Sequence, residues 1–263
     1  MPKVVTCYDV YPALDIGFGS RHWQVSTYAD FARRADRILF VSEHSRRDFL
    51  RLFPYDVSRT SVTHLGVADS FHPRAPETLA PTREKYGLAE PYLLFVGASN
   101  PQKNLLRLLD AFGRSAARHD HQLMLAGPVY PGQLAPMQAR VAQLAIEARV
   151  RIAGFVDAAD LPNLYAGASA VLLPSVYEGF GLPILEGMAS GVPVLTSTAG
   201  SCPEIAAGHG VLVDPLSVDD IARGIDAALR MTKTQLEDAR TYARGMTWRR
   251  TAQQTLETYR ALC

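Results

Sequence analysis

From Tyr92 onward the chain alternates short apolar runs with longer amphipathic segments. The runs are YLLFVG (92 to 97), QLMLAG (122 to 127), VRIAG (150 to 154), AVLLPS (170 to 175) and VPVLTS (192 to 197). Their apolar residues are consecutive rather than every second one, the pattern of strands covered by helices on both faces. Between them Leu105, Leu106, Leu108, Leu109 and Phe112 mark one helix, Met137, Val141, Leu144 and Ala145 another, and Ile221, Ile225, Ala228 and Leu229 a third. This alternation predicts a doubly wound, Rossmann-like α/β domain with a parallel sheet.

The first ninety residues are less regular. VVTCYD (4 to 9), RILFVSE (37 to 43) and TSVTHLG (60 to 66) read as strands, and HSRRDFLRLF (44 to 53) as a helix beginning after Ser42. Three strands make a small, incomplete sheet. The stretch from 71 to 91 is rich in proline and charge and reads as a linker. The expected division is therefore a partial N-terminal lobe and linker over 1–90, a ligand-binding domain over 91–245, and a closing helix over 246–263.

Charge and cysteine usage exclude several classes. Lys plus Arg number 27 against 26 Asp plus Glu, a net +1, which offers no global attraction to nucleic acid. Cys7, Cys202 and Cys263 lie far apart without C-x-x-C spacing, which fits reduced thiols in the cytoplasm. The opening MPKVVTCYDV lacks the apolar core of a signal peptide, and no stretch approaches a membrane span. A cytoplasmic chain is expected, with room for peripheral contact at the inner face of the membrane.

The chemistry concentrates in SVYEGFGLPILEGMASGVPVL (175 to 195). A strand ends at Pro174, a glycine loop follows, and Pro183 opens a short helix closed by Gly191. Gly179 and Gly181 allow close approach of a ligand to the backbone, and the helix start at Leu182 presents unpaired N–H groups and a positive dipole end. Glu178 on the loop and Glu186, expected in the first turn, flank this helix mouth at different depths. Carboxylates so placed can accept hydrogen bonds from sugar hydroxyls while the helix holds phosphate. A strand, glycine turn and helix also occur throughout α/β proteins, with solvated glutamates. In GASNPQKNLLRLLDAF (97 to 112), Gly97 follows a strand and Lys103 precedes a helix. A merely solvated lysine there runs against the helix dipole, so phosphate contact is the better reading.

These residues carry a resemblance. The chain resembles the retaining GT-B glycosyltransferases, the large group that includes bacterial mannosyl- and glucosyltransferases, sucrose synthase and glycogen synthase. The E-x7-E pair at Glu178 and Glu186 with GFGLP between them, the G-x5-K-N from Gly97 to Asn104, AGFV at 153 to 156, and MTWRRTAQQTLETYRAL at 246 to 262 agree in order. The resemblance implies a GT-B-like fold with a Rossmann-type C-terminal donor domain and a shortened N-terminal α/β lobe. It implies that Lys103 neutralises a diphosphate, that Glu186 binds the ribose, and that Glu178 with the backbone at Phe180 and Gly181 holds the transferred sugar. Gly154, Phe155 and Val156 would border the base, and the final helix would cross back onto the N-terminal lobe.

The implied activity is retaining hexosyl transfer, of mannose or glucose, from a UDP- or GDP-sugar to a glycan or lipid-linked acceptor in bacterial surface polysaccharide synthesis. Lys103 and Glu178 are the expected catalytic groups, with neither metal nor further cofactor. Two departures stand out. Ala98 and Gln102 occupy places where the family often has arginine, and the family's T-x-H-D strand end reads Thr6, Cys7, Tyr8, Asp9. The chain also opens at that strand, which predicts an unpaired sheet edge, self-association through the N-terminal lobe, and slow or absent transfer by this chain alone. A scaffold that binds nucleotide sugar without turnover, and a sugar-nucleotide epimerase of the same fold, are the alternatives.

Weaker candidates are His44 with Arg46 and Arg47 for an acceptor or lipid surface, and His119 with His121, which lack a third ligand at metal spacing. Glu204, opening another helix after Pro203, suits ligand contact or capping equally.

Overall fold

The structure, a computed structural model, describes residues 2–14, 22–89 and 91–262; Cys263 lies outside them. The chain first lays down β1 (Val4–Cys7), α1 (His22–Arg34), β2 (Arg37–Phe40), α2 (Glu43–Leu52) and β3 (Thr60–Val62). The strands form a parallel sheet in the order β1-β2-β3. Its core gathers Cys7, Val10, Ile38, Phe40, Phe49 and Phe53. Helix α2 starts where expected: the Ser42 side chain accepts the Ser45 N–H at 3.0 Å, Glu43 sits in the first turn and Arg51 in the last. Both charges complement the helix dipole.

The stretch expected as a linker is partly helical. Helix α3 (Pro76–Lys85) opens on a proline at its first position and buries Leu79 and Thr82. Polar side chains dock it on the larger sheet's side: Lys85 reaches Asp157 and Asp160 at 2.5 and 2.7 Å, and Asn163 donates to Thr82 Oγ1 at 2.9 Å.

The larger sheet begins with β4 (Tyr92–Val96), α4 (Leu105–Arg114), β5 (Gln122–Ala126), α5 (Leu134–Gln143), β6 (Val150–Gly154) and α6 (Leu161–Ala166). It continues through β7 (Ala170–Leu173), α7 (Leu182–Ala189), β8 (Val194–Ser197), α8 (Cys202–Ala206), β9 (Val211–Val213) and α9 (Val218–Ala228). Helices α10 (Lys233–Gly245) and α11 (Trp248–Arg260) close the chain. All six strands are parallel in the order β6-β5-β4-β7-β8-β9. The five apolar runs are β4 to β8, and β4, β5, β7 and β8 are wholly buried apart from Val96.

This order sets the site. The chain leaves β4 toward β5 and β6 on one side and returns to β7 on the other, so the loops after β4 and β7 diverge. A parallel sheet opens a crevice at the carboxyl ends of its strands at such a switch point. From α11, Thr251 donates to the His64 carbonyl at 2.7 Å, and just before it Met246 O accepts from Val67 N–H at 2.9 Å. Among the described residues no helix is long and apolar enough to cross a membrane.

Candidate functional site

The loop after β4 is a 3-10 turn, Pro101–Lys103, ending at Asn104 with φ +63°. Asparagine tolerates this left-handed conformation better than most residues. Its buried side chain donates to Pro174 O at 2.9 Å and Pro215 O at 2.6 Å, tying the loops after β4, β7 and β9 together. Lys103 is thereby aimed across the switch point.

There it meets Glu178. Lys103 Nζ donates to both carboxylate oxygens, at 2.7 and 2.9 Å, and Ser175 Oγ donates to Oε1 at 2.6 Å. The side chains are 17% and 10% exposed, enough shielding for the attraction to exceed that of a surface pair. The Glu178 backbone is also held, since its carbonyl accepts from Ser201 N and Ser201 Oγ. Gly181, at φ +95°, caps α7 in the left-handed region that glycine adopts freely, and Leu182 and Pro183 follow as the first two helical residues.

Glu186 lies deeper than the sequence suggests. Because α7 starts at Leu182, Glu186 falls in the second turn rather than the first, beside buried Tyr165. Burial pushes its carboxyl above the ordinary range, and the Tyr165 hydroxyl draws it partly back. A carboxyl raised by folding contributes stability that is complete below its unfolded pKa and is lost as pH rises through its folded value. Ionised Glu186 therefore costs stability at neutral pH. Glu186→Gln should melt at higher temperature than the parent near pH 7, and calorimetry should show the gap closing as pH falls below the ordinary carboxyl value of 4.5. An equal gap at every pH would contradict this.

The remaining candidates line the same edge of the sheet. Gly97 N–H donates to Ala126 O, and Gly127 N–H to Gly154 O, so the loops after β4, β5 and β6 lie side by side. A Cβ at Gly127 would lie 2.1 Å from the Gly97 carbonyl oxygen, a close approach the sequence analysis did not single out. Gly154 stands at φ +67° facing open space, Phe155 is 77% exposed and Val156 is buried.

The smaller sheet closes over this edge. A Cβ at Gly179 would lie 2.3 Å from the Tyr8 carbonyl oxygen and 2.7 Å from the Asp9 Cβ. Ser42 Oγ and Ser45 Oγ both donate to the Gly179 carbonyl, at 2.7 and 3.1 Å. Burial raises the Asp9 carboxyl, Tyr11 N–H lowers it, the Glu178 charge raises it further and Lys103 lowers it. Asp9 thus lies within electrostatic reach of both Glu178 and Lys103. Tyr8, where the family often has histidine, is 61% exposed.

The weaker candidates separate. His44 pairs with Asp48 and Arg46 with Glu43 on α2 itself. His121 pairs with Asp120, and among the described residues no group of three His, Cys, Asp or Glu side chains could hold a metal ion. Glu204 caps: it accepts from the N–H groups of Glu43 and His44 at 2.9 and 3.1 Å.

Residues 81–246 match the family model described as glycosyl transferases group 1. The chain belongs to that family. The matched span contains every residue of the edge from Gly97 to Glu186. O-antigen chain mannosyltransferase B of Escherichia coli is 36% identical over 241 residues, 87% of this chain and 61% of that protein. MMP alpha-(1->4)-mannosyltransferase of Mycolicibacterium hassiacum is 29% identical over 87% of this chain and 54% of its own length. The chain thus spans between half and two-thirds of these glycosyltransferase relatives.

Solved structures of the same GT-B fold superpose closely. Anabaena HepE in complex with UDP-glucose gives a TM-score of 0.87 at 22% identity, covering 99% of this chain and 72% of that one. Sucrose-phosphate synthase from Thermosynechococcus elongatus gives 0.83 at 23% identity, covering 98% and 67%.

Proposed function

We propose that this chain transfers a hexose, mannose or glucose, from a UDP- or GDP-sugar to a glycan or lipid-linked acceptor with retention at the anomeric carbon. The observation that carries the reading is the Lys103–Glu178 pair at the switch point between β4 and β7, 2.7 Å apart and shielded from solvent. An ammonium there neutralises a diphosphate leaving group, aided by the N–H groups opening α7. Glu178 and the backbone at Phe180 and Gly181 take the sugar hydroxyls, Glu186 takes the ribose, and Gly154, Phe155 and Val156 border the base. Lys103 and α7 supply the positive charge, so the reading asks for no metal. The relatives, both mannosyltransferases by name, and the UDP-glucose complex of a structural neighbour support it.

In the transfer step the acceptor oxygen bonds to the anomeric carbon on the face from which the diphosphate departs. The carbon–oxygen bond to phosphate breaks, and the acceptor proton passes to a departing phosphate oxygen. The products are a glycoside and a nucleoside diphosphate. Positioning and charge stabilisation do the work, with no protein nucleophile. The setting is surface polysaccharide synthesis at the inner face of the membrane. The outer edge of β1, which among the described residues pairs only with β2, is open to a second copy of the chain; a monomer in light scattering would remove that association.

The test is incubation with UDP-glucose or GDP-mannose and a lipid-linked or free glycan, followed by proton NMR of the product. An α-linked product from the α-configured donor is expected. A β-linked product would overturn retention, an epimerised sugar nucleotide without acceptor would identify an epimerase, and nucleotide binding without turnover would identify a scaffold.

A further inference from the structure

Glu204 does more than end a helix of its own. It stands on α8, on the larger sheet's side of the cleft, and all three of its hydrogen bonds go to the other side. Oε1 accepts from Glu43 N–H at 2.9 Å and meets His64 Nε2 at 2.7 Å, while Oε2 accepts from His44 N–H at 3.1 Å. Glu43 and His44 open α2, and His64 follows β3. The carboxylate thus fills the positive end of α2 from across the cleft. His64 is itself fixed, its carbonyl accepting from Thr251 on α11 and its ring 6.1 Å from that of Phe180.

The same segment grips the loop that carries Glu178. Ser201, next to α8, donates from its N–H and hydroxyl to the Glu178 carbonyl and from its hydroxyl to the Phe180 carbonyl. On the loop's far side Ser42 and Ser45, at the start of α2, hold the Gly179 carbonyl. The start of α2 is therefore held twice by the larger sheet's side, once by the Gly179 carbonyl and once by Glu204.

We propose that Glu204 and His64 form a clasp across the cleft, positioning residues that set the strand end at Tyr8 and Asp9 against the Glu178 loop. The proposal rests on the cleft being the transfer site, but the clasp is defined by geometry apart from any ligand. Releasing it frees α2 and the Gly179 carbonyl together, because both are anchored at one place. Burial alone would raise the Glu204 carboxyl, yet His64 and the two N–H groups hold it below the ordinary range, so it stays ionised in place. A cap serving only α2 would affect that helix alone. A clasp must also govern the loop opposite.

Hydrogen exchange by mass spectrometry on the full chain separates these roles. In Glu204→Ala, peptides covering 42–46 and 177–182 should both exchange about tenfold faster, while 92–96 stays at the parent rate. His64→Phe keeps a ring against Phe180 but removes the bond, and should speed the same two peptides about threefold. If only 42–46 responds, Glu204 is a cap and the clasp is overturned; unchanged exchange at 177–182 in His64→Phe overturns it also, should Glu204→Ala fail to fold. Nucleoside diphosphate affinity, read by calorimetry, should fall less in either variant than the about tenfold or more expected on removing the Lys103 charge, since Glu204 and His64 act on the donor site only through the loop. A parent that binds no nucleoside diphosphate would sink the proposed function while the exchange result still decides the clasp.

Discussion

Lys103→Ala should weaken nucleoside diphosphate binding by about tenfold or more and leave the bare nucleoside unchanged. One charge-assisted hydrogen bond to phosphate is worth ~1.5–3 kcal/mol. The same substitution strips Glu178 of its counter-charge. Leaving one member of a shielded ion pair alone costs about 3 kcal/mol when burial is nearly complete, and somewhat less at 10% exposure. Lys103→Met combined with Glu178→Gln should recover the melting temperature, since neither partner is then an isolated charge, but should not recover affinity. Equal loss for nucleoside and diphosphate in calorimetry would refute the phosphate assignment. Full recovery of binding in the double variant would refute it too.

Gly179→Ala should loosen the two halves of the molecule where the Gly179 backbone packs against Tyr8 and Asp9. The added methyl would sit 2.3 Å from the Tyr8 carbonyl oxygen and 2.7 Å from Asp9 Cβ, and backbone cannot swing aside as a flexible side chain can. Overpacking of this kind costs ~1–3 kcal/mol. It should also break the bonds from Ser42 and Ser45 to the Gly179 carbonyl, which a rise in hydrogen exchange at the start of α2 would report. Gly245→Ala is the control, because nothing lies within 4 Å of an added Cβ there. Equal melting temperatures for the parent and Gly179→Ala would show that the cleft tolerates opening at this point.

The larger sheet was legible because β4, β5, β7 and β8 are largely apolar runs beside glycine or proline, a pattern that burial on both faces imposes, while β6 is broken by exposed Arg151. β9 escaped notice: Val211–Val213 is three residues long with Leu212 exposed. Helix α3 was hidden by Pro76, Pro81 and its charges, which read as linker composition, and only Leu79 and Thr82 among its residues are buried. In the site, Lys103 and Glu178 were each visible beside a helix start. Their contact was not, because it spans 75 residues and depends on β4 and β7 being neighbours. Strand order is a long-range property that local periodicity does not encode.

Glu186 was placed one turn too early for a local reason, since helix starts read from sequence shift by a residue or two. Asp9 was not singled out and Glu204 was left between ligand contact and capping, because the groups that face them come from the other sheet. Glu204 finds its partners only once α2 and the segment after β3 bring the Glu43 and His44 N–H groups and His64 to it.

The central claim is that the carboxyl edge of the larger sheet binds a nucleoside diphosphate sugar through Lys103 and Glu186. Isothermal titration of the chain with UDP, GDP and ADP, each beside its nucleoside, tests it most directly. The account predicts one-to-one binding of a diphosphate that exceeds its nucleoside by about tenfold or more, with Glu186→Ala weakening both and Lys103→Ala only the diphosphate. Absence of binding by every diphosphate, or binding indifferent to both substitutions, would contradict it.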